Sequence, residues 1–195
     1  MVFAESGAQV VGIEASAERC TQVNAGVSYI QDVPSASLRR MVEAGRLSAT
    51  PDYAATESCA ADIICLPTPL NRNREPDLTI VRQAARDLAS NVQPGQLITL
   101  ESTTYPGTTR EVLSAILQEE SGLVAGVDFH LAFSPERVDP GRTDFTTKTT
   151  PKVIGGLTEA CTQKALEIYG TAIDHLVSVS TPEVAEMTKL LENIF

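Results

Sequence analysis

The chain has 195 residues, 43% of them hydrophobic and 21% charged, with a formal net charge of −10. This length and composition suggest one globular unit with a single core. The negative charge disfavours nucleic acid as a partner, because phosphate backbones are held by clustered Lys and Arg. No apolar run approaches the roughly 20 residues that span a bilayer, and the first residues lack a signal-peptide pattern, so we expect a cytoplasmic protein without membrane contact.

The four cysteines, at positions 20, 59, 65 and 161, are scattered without a CxxC spacing. This distribution argues against a zinc site and against a disulfide framework. We interpret them as reduced and mostly buried small side chains, and we expect no metal.

The start of the chain predicts a strand over residues 8–14, followed by a helix that Ser16 caps and that runs to about Gly26. Dinucleotide-binding folds hold the adenosine ribose with an acid that ends such a strand, here Glu14. A solvated carboxylate is the alternative for Glu14 considered alone. Such folds begin one strand earlier, with a glycine-rich turn that meets the pyrophosphate. No G-x-G-x-x-G occurs here, and residues 1–7 resemble the end of a helix that stops at Gly7, so we expect the chain to start within this motif.

The next segments predict a helix that Ser35 caps, a short helix over residues 52–59 and a buried strand over residues 61–66. Pro67 and Pro69 end that strand and fix the hydroxyl of Thr68, although a simple turn is an equal alternative. Asp77 is expected to cap the helix that follows.

An apolar strand over residues 97–100 stops at Glu101, Ser102, Thr103 and Thr104. Ligands bind at the carboxyl ends of the strands in an open parallel sheet, so we expect these four side chains to face a crevice. A Pro-Gly turn follows, and the next helix is predicted to start on a capping box formed by residues 108 and 111.

After this helix the chain continues to alternate, with strands over residues 129–133, 153–156 and 175–179 and a helix over residues 158–170. His130 and His175 are interpreted as packed or edge histidines. The excess of Lys and Arg over residues 136–152 suits a phosphate, but an ordinary mixed-charge loop explains it equally well. The alternation predicts an α/β fold, with a mainly parallel sheet and helices on both faces.

The last predicted helix starts at residue 180 or 181 and has Pro182 in its first turn. Lys189 and Asn193 are four residues apart and fall on one side of it. Its apolar residues fall on another side, which the chain leaves unfinished: Val184, Met187, Leu191, Ile194 and Phe195. We therefore divide the chain into a partial nucleotide-binding domain, residues 1–179, and the beginning of a connecting helix, residues 180–195.

Four motifs occur in order: ESTTYPGTTREVL, LAFSPERVDPGR, PKVIGG and VAEMTKLLENIF. Together they resemble the UDP-glucose/GDP-mannose dehydrogenase family, nearest to its UDP-N-acetylglucosamine 6-dehydrogenase branch. The resemblance covers the chain, but only the NAD-binding half of the family. It implies a Rossmann-like fragment without the family's first strand and glycine-rich turn. The central helix beyond residue 195, the sugar-binding domain and the catalytic cysteine are also outside it.

The resemblance also implies roles for individual residues. Glu14 would hold the ribose, and Thr68, Ser102, Thr103 and Glu136 would contact the NAD cofactor. The catalytic set would be Thr103, which positions water, Glu136 as general base, and Lys189 with Asn193 as partners of the developing oxyanion. One departure is Pro140, which stands where many relatives have a second glutamate, and Asp139 is one place off, so any role for a second carboxylate stays open.

Members of this family oxidise C6 of a nucleotide sugar twice, through a thioester, and pass two hydrides to two NAD molecules. The resemblance implies a UDP-sugar substrate, with UDP-N-acetylglucosamine as the expected sugar, a role in polysaccharide biosynthesis, and a homodimer through the central helix. None of the four cysteines lies in the family's cysteine motif, so we expect the isolated chain to be inactive. The alternatives are a non-catalytic remnant or dimerising binding module of this family, and another NAD(P)-dependent 2-hydroxyacid or sugar-phosphate dehydrogenase.

Overall fold

In the described part of the chain, seven strands form two sheets of unequal size, and helices lie between the strands. The computed structural model describes residues 1–30, 32–70, 76–136 and 150–194, with side chains as far as residue 191. The strands are β1 (Val10–Ile13), β2 (Leu47–Thr50), β3 (Ala61–Ile64), β4 (Leu97–Leu100), β5 (His130–Phe133), β6 (Lys152–Gly156) and β7 (Leu176–Val179). The α-helices are α1 (Val2–Glu5), α2 (Ala17–Asn24), α3 (Ser35–Glu43), α4 (Thr79–Ala89), α5 (Ser114–Ser121), α6 (Glu159–Tyr169) and α7 (Pro182–Ile194), with a 3₁₀ helix over Tyr53–Ser58.

The larger sheet has the order β3-β4-β5-β6-β7, and the smaller one consists of β1 and β2. All neighbouring strands are parallel except β5 and β6, which run antiparallel. The predicted α/β fold with a mainly parallel sheet is therefore confirmed. Among the described residues β1 pairs only with β2, and β3 pairs only with β4. From the family resemblance, we expect the missing first strand to belong at this break.

Helices cover both faces of the larger sheet, as predicted, because alternate residues of its buried strands point to opposite sides. On one face Ile98 and Phe133 pack with Val81 of α4 and Leu117 of α5. On the other face Leu97 and Ala132 of the strands pack with Ala165 and Tyr169 of α6. The short helix α1 joins this second cluster, where the ring of Phe3 meets the ring of Tyr169 edge-on at 5.7 Å.

Strand β2 was not predicted, because its sequence LSAT lacks the apolar run that marked the other strands. It is a short strand and only one of its residues, Ala49, is buried. The side-chain amide of Asn24 in α2 accepts a hydrogen bond from the Ala49 N–H and donates one to its carbonyl, both at 2.8 Å. Contacts from a neighbouring helix therefore hold this strand in place in addition to its pairing with β1.

Two predicted helix starts are wrong in detail. Ser35 is the first residue of α3 rather than its cap, and its hydroxyl accepts a hydrogen bond from the Ser28 N–H. The predicted capping box is absent, because the hydroxyl of Thr108 donates back to the carbonyl of Tyr105. The helix there begins as a π-helical segment, Thr108–Leu113, after Gly107 in the left-handed conformation.

No helix in the described part of the chain is long and apolar enough to cross a membrane.

Candidate functional site

Two loops that follow neighbouring strands are joined by hydrogen bonds at the carboxyl ends of β3 and β4. The Thr68 hydroxyl donates to the Thr103 carbonyl at 2.6 Å. The Ser102 hydroxyl accepts a hydrogen bond from the Leu66 N–H at 3.0 Å. Because β3 and β4 are parallel, with Ile64 beside Leu100, both loops leave the sheet at the same edge. The structure thus brings Thr68, Ser102 and Thr103 together, and their contacts with a cofactor stay a prediction.

Glu101 was expected to face a crevice together with Ser102, Thr103 and Thr104, and for Glu101 this expectation is wrong. Its carboxylate is buried and accepts hydrogen bonds from the Lys152 ammonium at 3.0 Å and the Tyr169 hydroxyl at 2.5 Å. The Cys65 thiol lies 3.8 Å from the other oxygen. The Lys152 nitrogen also lies 5.5 Å from the centre of the Tyr169 ring. We call Cys65, Glu101, Lys152 and Tyr169 the Glu101 cluster.

This cluster changes the interpretation of the basic segment over residues 136–152. Lys152 is neutralised by Glu101 within the protein, so its charge is not presented to a phosphate. Arg137, Arg142 and Lys148, the other cations of the segment, lie outside the described residues.

Within the Glu101 cluster, the surroundings affect the protonation of the Cys65 thiol. Cys65 is exposed as a residue, unlike the buried Cys20 and Cys161, but its thiol lies close to Glu101. Partial loss of water around the thiol raises its pKa, and the Glu101 carboxylate adds to this rise more than Lys152 opposes it. Burial also raises the pKa of the Tyr169 hydroxyl, again with help from Glu101. Because the thiolate is the nucleophilic form of cysteine, a thiol that stays protonated at neutral pH is a poor nucleophile. Cys65 is therefore suited to donate a hydrogen bond rather than to attack a substrate.

Two buried hydroxyl groups near the same edge of the sheet have no hydrogen-bond partner within the described part of the chain. Thr104 follows β4 and is 1% exposed, and Ser134 directly follows β5 and is fully buried. Buried hydroxyls normally have a partner, so these two groups can receive a polar atom of a ligand or a water molecule. Glu136, two residues after Ser134, is exposed.

Glu14 directly follows β1, as predicted, and is partly exposed. One carboxylate oxygen accepts a hydrogen bond from the Ser16 N–H at 2.9 Å, and the other lies 3.6 Å from the Arg19 guanidinium. An acid in this position fits the ribose of a dinucleotide, because it can accept hydrogen bonds from both ribose hydroxyls. The described residues include no glycine-rich turn from a strand into a helix that would receive the pyrophosphate.

Helix α7 carries the predicted residues Lys189 and Asn193. Lys189 is half-buried, and the side chain of Asn193 lies outside the described part of the structure. The helix starts close to β6, because Gly155 leaves room that a side chain would fill: a Cβ there would lie 2.2 Å from the Thr181 carbonyl oxygen. The predicted apolar side of α7 faces outward, and its Met187 is 43% exposed.

Two parts of this region are not predicted from the sequence, the Glu101 cluster and Glu186 of α7. Glu186 is fully buried and accepts hydrogen bonds from the backbone N–H groups of Gly107 and Thr109. Its position could have been noticed in the sequence, since Glu186 lies three residues before Lys189 and therefore on the same side of the helix. No comparable local signal links Glu101 with Lys152, because the two are distant in sequence.

The chain is similar in sequence to known dehydrogenases. The chain is 34% identical to the UDP-N-acetyl-D-mannosamine dehydrogenase of Pyrococcus horikoshii. The match covers 100% of this chain and 46% of that protein. A UDP-N-acetyl-D-glucosamine 6-dehydrogenase of Pseudomonas aeruginosa is 32% identical over 94% of this chain and 43% of its own length. The chain thus spans less than half the length of these relatives.

Solved structures give the same result. The UDP-D-ManNAc dehydrogenase structure from Pyrococcus horikoshii superposes with a TM-score of 0.91, over 98% of this chain and 46% of that one. A ternary complex of GDP-mannose dehydrogenase from Pseudomonas aeruginosa, 28% identical in sequence, superposes with a TM-score of 0.89. The superposition covers 98% of this chain and 45% of that one. Residues 1–173 match the NAD binding domain of a single dehydrogenase family. On this evidence the chain belongs to the UDP-glucose/GDP-mannose dehydrogenase family and carries its NAD binding domain.

Proposed function

We propose that this chain is the NAD-binding part of a nucleotide-sugar 6-dehydrogenase that oxidises C6 of a UDP-N-acetylhexosamine to the uronic acid. The observation that carries the proposal is the hydrogen bond from the Thr68 hydroxyl to the Thr103 carbonyl. It joins two loops that the family resemblance assigns to the cofactor and to water, at the edge of the sheet where α/β proteins bind ligands.

In this proposal NAD would accept the hydride, and Glu14 would accept hydrogen bonds from its ribose. Lys189 provides a positive charge for the oxygen of the reacting alcohol or thiohemiacetal, and Asn193 provides a neutral donor on the same side of the helix. Glu136 accepts a proton as general base, and the Thr103 hydroxyl orients water for the hydrolytic step. The thiolate for the covalent step would have to come from outside the four cysteines described above.

For the sugar we propose UDP-N-acetylglucosamine, with UDP-N-acetylmannosamine as the alternative. The two sugars differ only in configuration at C2. The relative with 34% identity is a UDP-N-acetyl-D-mannosamine dehydrogenase and the one with 32% identity a UDP-N-acetyl-D-glucosamine 6-dehydrogenase. These identities are too similar to separate the epimers, so comparing kcat/KM for both sugars in an active enzyme that carries this sequence decides between them.

We also propose that residues 180–195 begin a connecting helix through which two copies of the complete enzyme associate. Three outward side chains of α7 support this, because Val184, Met187 and Leu191 are 44%, 43% and 50% exposed and follow helical spacing. Sedimentation of the enzyme with Met187→Glu should show a shift from dimer to monomer. An unchanged dimer excludes this face as the interface.

The central experiment replaces Lys189 by alanine in an active dehydrogenase that carries this sequence. We expect kcat to fall by about 10²–10³-fold, as for the loss of one oxyanion donor, with little change in NAD affinity measured by calorimetry. Lys164→Ala on α6 is the matched control, because it removes a lysine whose ion pair with Glu167 lies elsewhere on the surface. Unchanged turnover in the Lys189 variant would overturn the oxyanion assignment.

The second candidate is a non-catalytic remnant or binding module of the same family. It is favoured by one observation, the break in pairing between β1 and β3 in the described structure. The two candidates differ in the outcome of turnover assays, since a remnant shows no NADH formation in any assembled enzyme that contains it.

A further inference from the structure

Glu186 is a buried carboxylate that links α7 to the turn after Thr103 and Thr104. One of its oxygens accepts the Gly107 N–H at 2.6 Å. The other accepts the Thr109 N–H at 2.8 Å and the Thr109 hydroxyl at 2.7 Å. Its side chain is fully buried, so these contacts replace water as its polar surroundings.

The chemistry of the contacts requires a carboxylate. The first N–H groups of a helix have no partner within the helix, and the positive end of the helix dipole favours an anion there. Gly107 and Thr109 present two such backbone N–H groups, which can only donate. Burial raises the pKa of Glu186, and the hydrogen bonds from Thr109 and Gly107 oppose this rise. An amide at this position would turn its NH₂ group toward one of the two N–H donors.

The position of Glu186 connects two parts of the candidate site. Gly107 follows Thr103 by four residues in a turn that leads into the π-helical segment. Lys189 follows Glu186 by three residues, so their side chains project from the same side of α7. A displacement of Glu186 relative to Gly107 would therefore move the Lys189 ammonium relative to Thr103.

Two further contacts lie at the beginning of α7, but neither is a buried carboxylate that accepts hydrogen bonds from backbone N–H groups. Gly155 only allows the backbone at Thr181 to approach β6. Arg110 and Glu183 form an ion pair at 2.6 Å whose side chains are 45% and 30% exposed, and ion pairs that water reaches contribute less than buried ones. The Arg110–Glu183 pair therefore provides a control, since it joins the same two elements at the surface.

We propose that Glu186 is a positioning residue that holds α7, and with it the Lys189 ammonium, against the turn that follows Thr103. The inference deepens the proposed function, because it assigns a buried contact to the placement of the proposed oxyanion partner. It concerns the geometry of the site and assigns no contact between Glu186 and substrate.

The test compares Glu186→Gln with Glu183→Gln in the 195-residue chain. Amide hydrogen exchange is followed at Gly107, at Thr109 and across α7, with the amides of β4 as the internal standard. In the same samples an acylating reagent labels lysine amines, and labelling of Lys189 is measured relative to Lys164. Glu186→Asp is the conservative variant, which keeps the charge on a side chain one methylene shorter.

We expect Glu186→Gln to accelerate exchange at Gly107 and Thr109 by about tenfold or more and to raise the relative labelling of Lys189, while β4 stays protected. Glu186→Asp should restore part of this protection, and Glu183→Gln should match the parent chain. If Glu186→Gln unfolds the chain, amide exchange and lysine labelling are measured on Glu186→Asp instead. Protection at residues 107 and 109 and Lys189 labelling that match the parent chain overturn the inference. Neither measurement depends on turnover, so that result would leave the proposed function standing.

Discussion

Lys152 and Glu101 form a buried ion pair at 3.0 Å, with both side chains less than a tenth exposed. Lys152 begins β6, and Glu101 directly follows β4. The pair therefore connects two strands of the larger sheet that are not direct neighbours. Removing charges from water is costly, and the cost is recovered only when each charge keeps its partners.

Replacing Lys152 by methionine should lower the free energy of unfolding by about 3–5 kcal/mol, because Glu101 would be left as an unpaired buried anion. Urea denaturation at neutral pH measures this change. Lys164→Met is the control, because the Lys164 ion pair with Glu167 lies at the surface and should contribute less than about 1 kcal/mol. A loss below 1 kcal/mol in Lys152→Met would show that the buried pair is not maintained in solution.

The double variant Glu101→Leu/Lys152→Met separates pairing from burial. It should be more stable than Lys152→Met alone, because no unpaired charge remains, although the Tyr169 hydroxyl loses its acceptor. The same denaturation experiment gives the comparison. A double variant that is less stable than Lys152→Met would mean that Glu101 stabilises the fold independently of the lysine.

Gly155 is expected to tolerate no side chain. A Cβ at this position would lie 2.2 Å from the Thr181 carbonyl oxygen and 2.7 Å from its carbon, which are backbone atoms with little freedom to move. Gly155→Ala should therefore reduce the free energy of unfolding by about 1–3 kcal/mol or more. Gly12→Ala in β1 is the matched control, since its Cβ would meet no atom closer than 3.7 Å. Equal stability of the two variants, measured by urea denaturation, would contradict the close approach of α7 to β6.

Asp62 in β3 should make stability depend on pH. Burial raises its pKa from 3.8 to about 7, and its Oδ2 atom has no hydrogen-bond partner in the described structure. Because the folded state then binds more protons than the unfolded chain, the free energy of unfolding contributed by this group falls as pH rises from about 4 to about 7. Above pH 7 the penalty is fully present and constant.

Asp62→Asn should remove this dependence, so its advantage over the parent chain should be larger at pH 8 than at pH 5. Denaturation at the two pH values measures the difference. Glu119→Gln removes an exposed carboxylate from α5 and is the control for the loss of one negative charge. An equal effect of Asp62→Asn at both pH values would mean that the Asp62 pKa is close to its ordinary value.

Local patterns in the sequence were sufficient for most elements of the fold. The apolar run before Glu101 predicted β4, and Pro182 correctly marked the first turn of α7. The pattern failed where long-range contacts decide the structure. The predicted capping box does not form, because the Thr108 hydroxyl donates to the Tyr105 carbonyl. The carboxylate at the start of this helix is that of Glu186, which is 79 residues away from its partner Gly107 in sequence. Likewise, Glu101 follows a strand as an exposed acid would, and only the folded sheet places Lys152 beside it.

The purified 195-residue chain should bind NAD weakly or not at all. Glu14 is the residue that we propose for the ribose, but the sequence contains no G-x-G-x-x-G turn whose N–H groups would hold the pyrophosphate. We also expect no NADH formation with UDP-N-acetylglucosamine, because the four cysteines lie outside the family's cysteine motif. Calorimetry and NADH absorbance measure the two properties, with the full-length UDP-N-acetyl-D-glucosamine 6-dehydrogenase of Pseudomonas aeruginosa as the positive control. A dissociation constant of about 1 μM or lower would show that other amides hold the pyrophosphate, and NADH formation would refute the inactivity of the isolated chain.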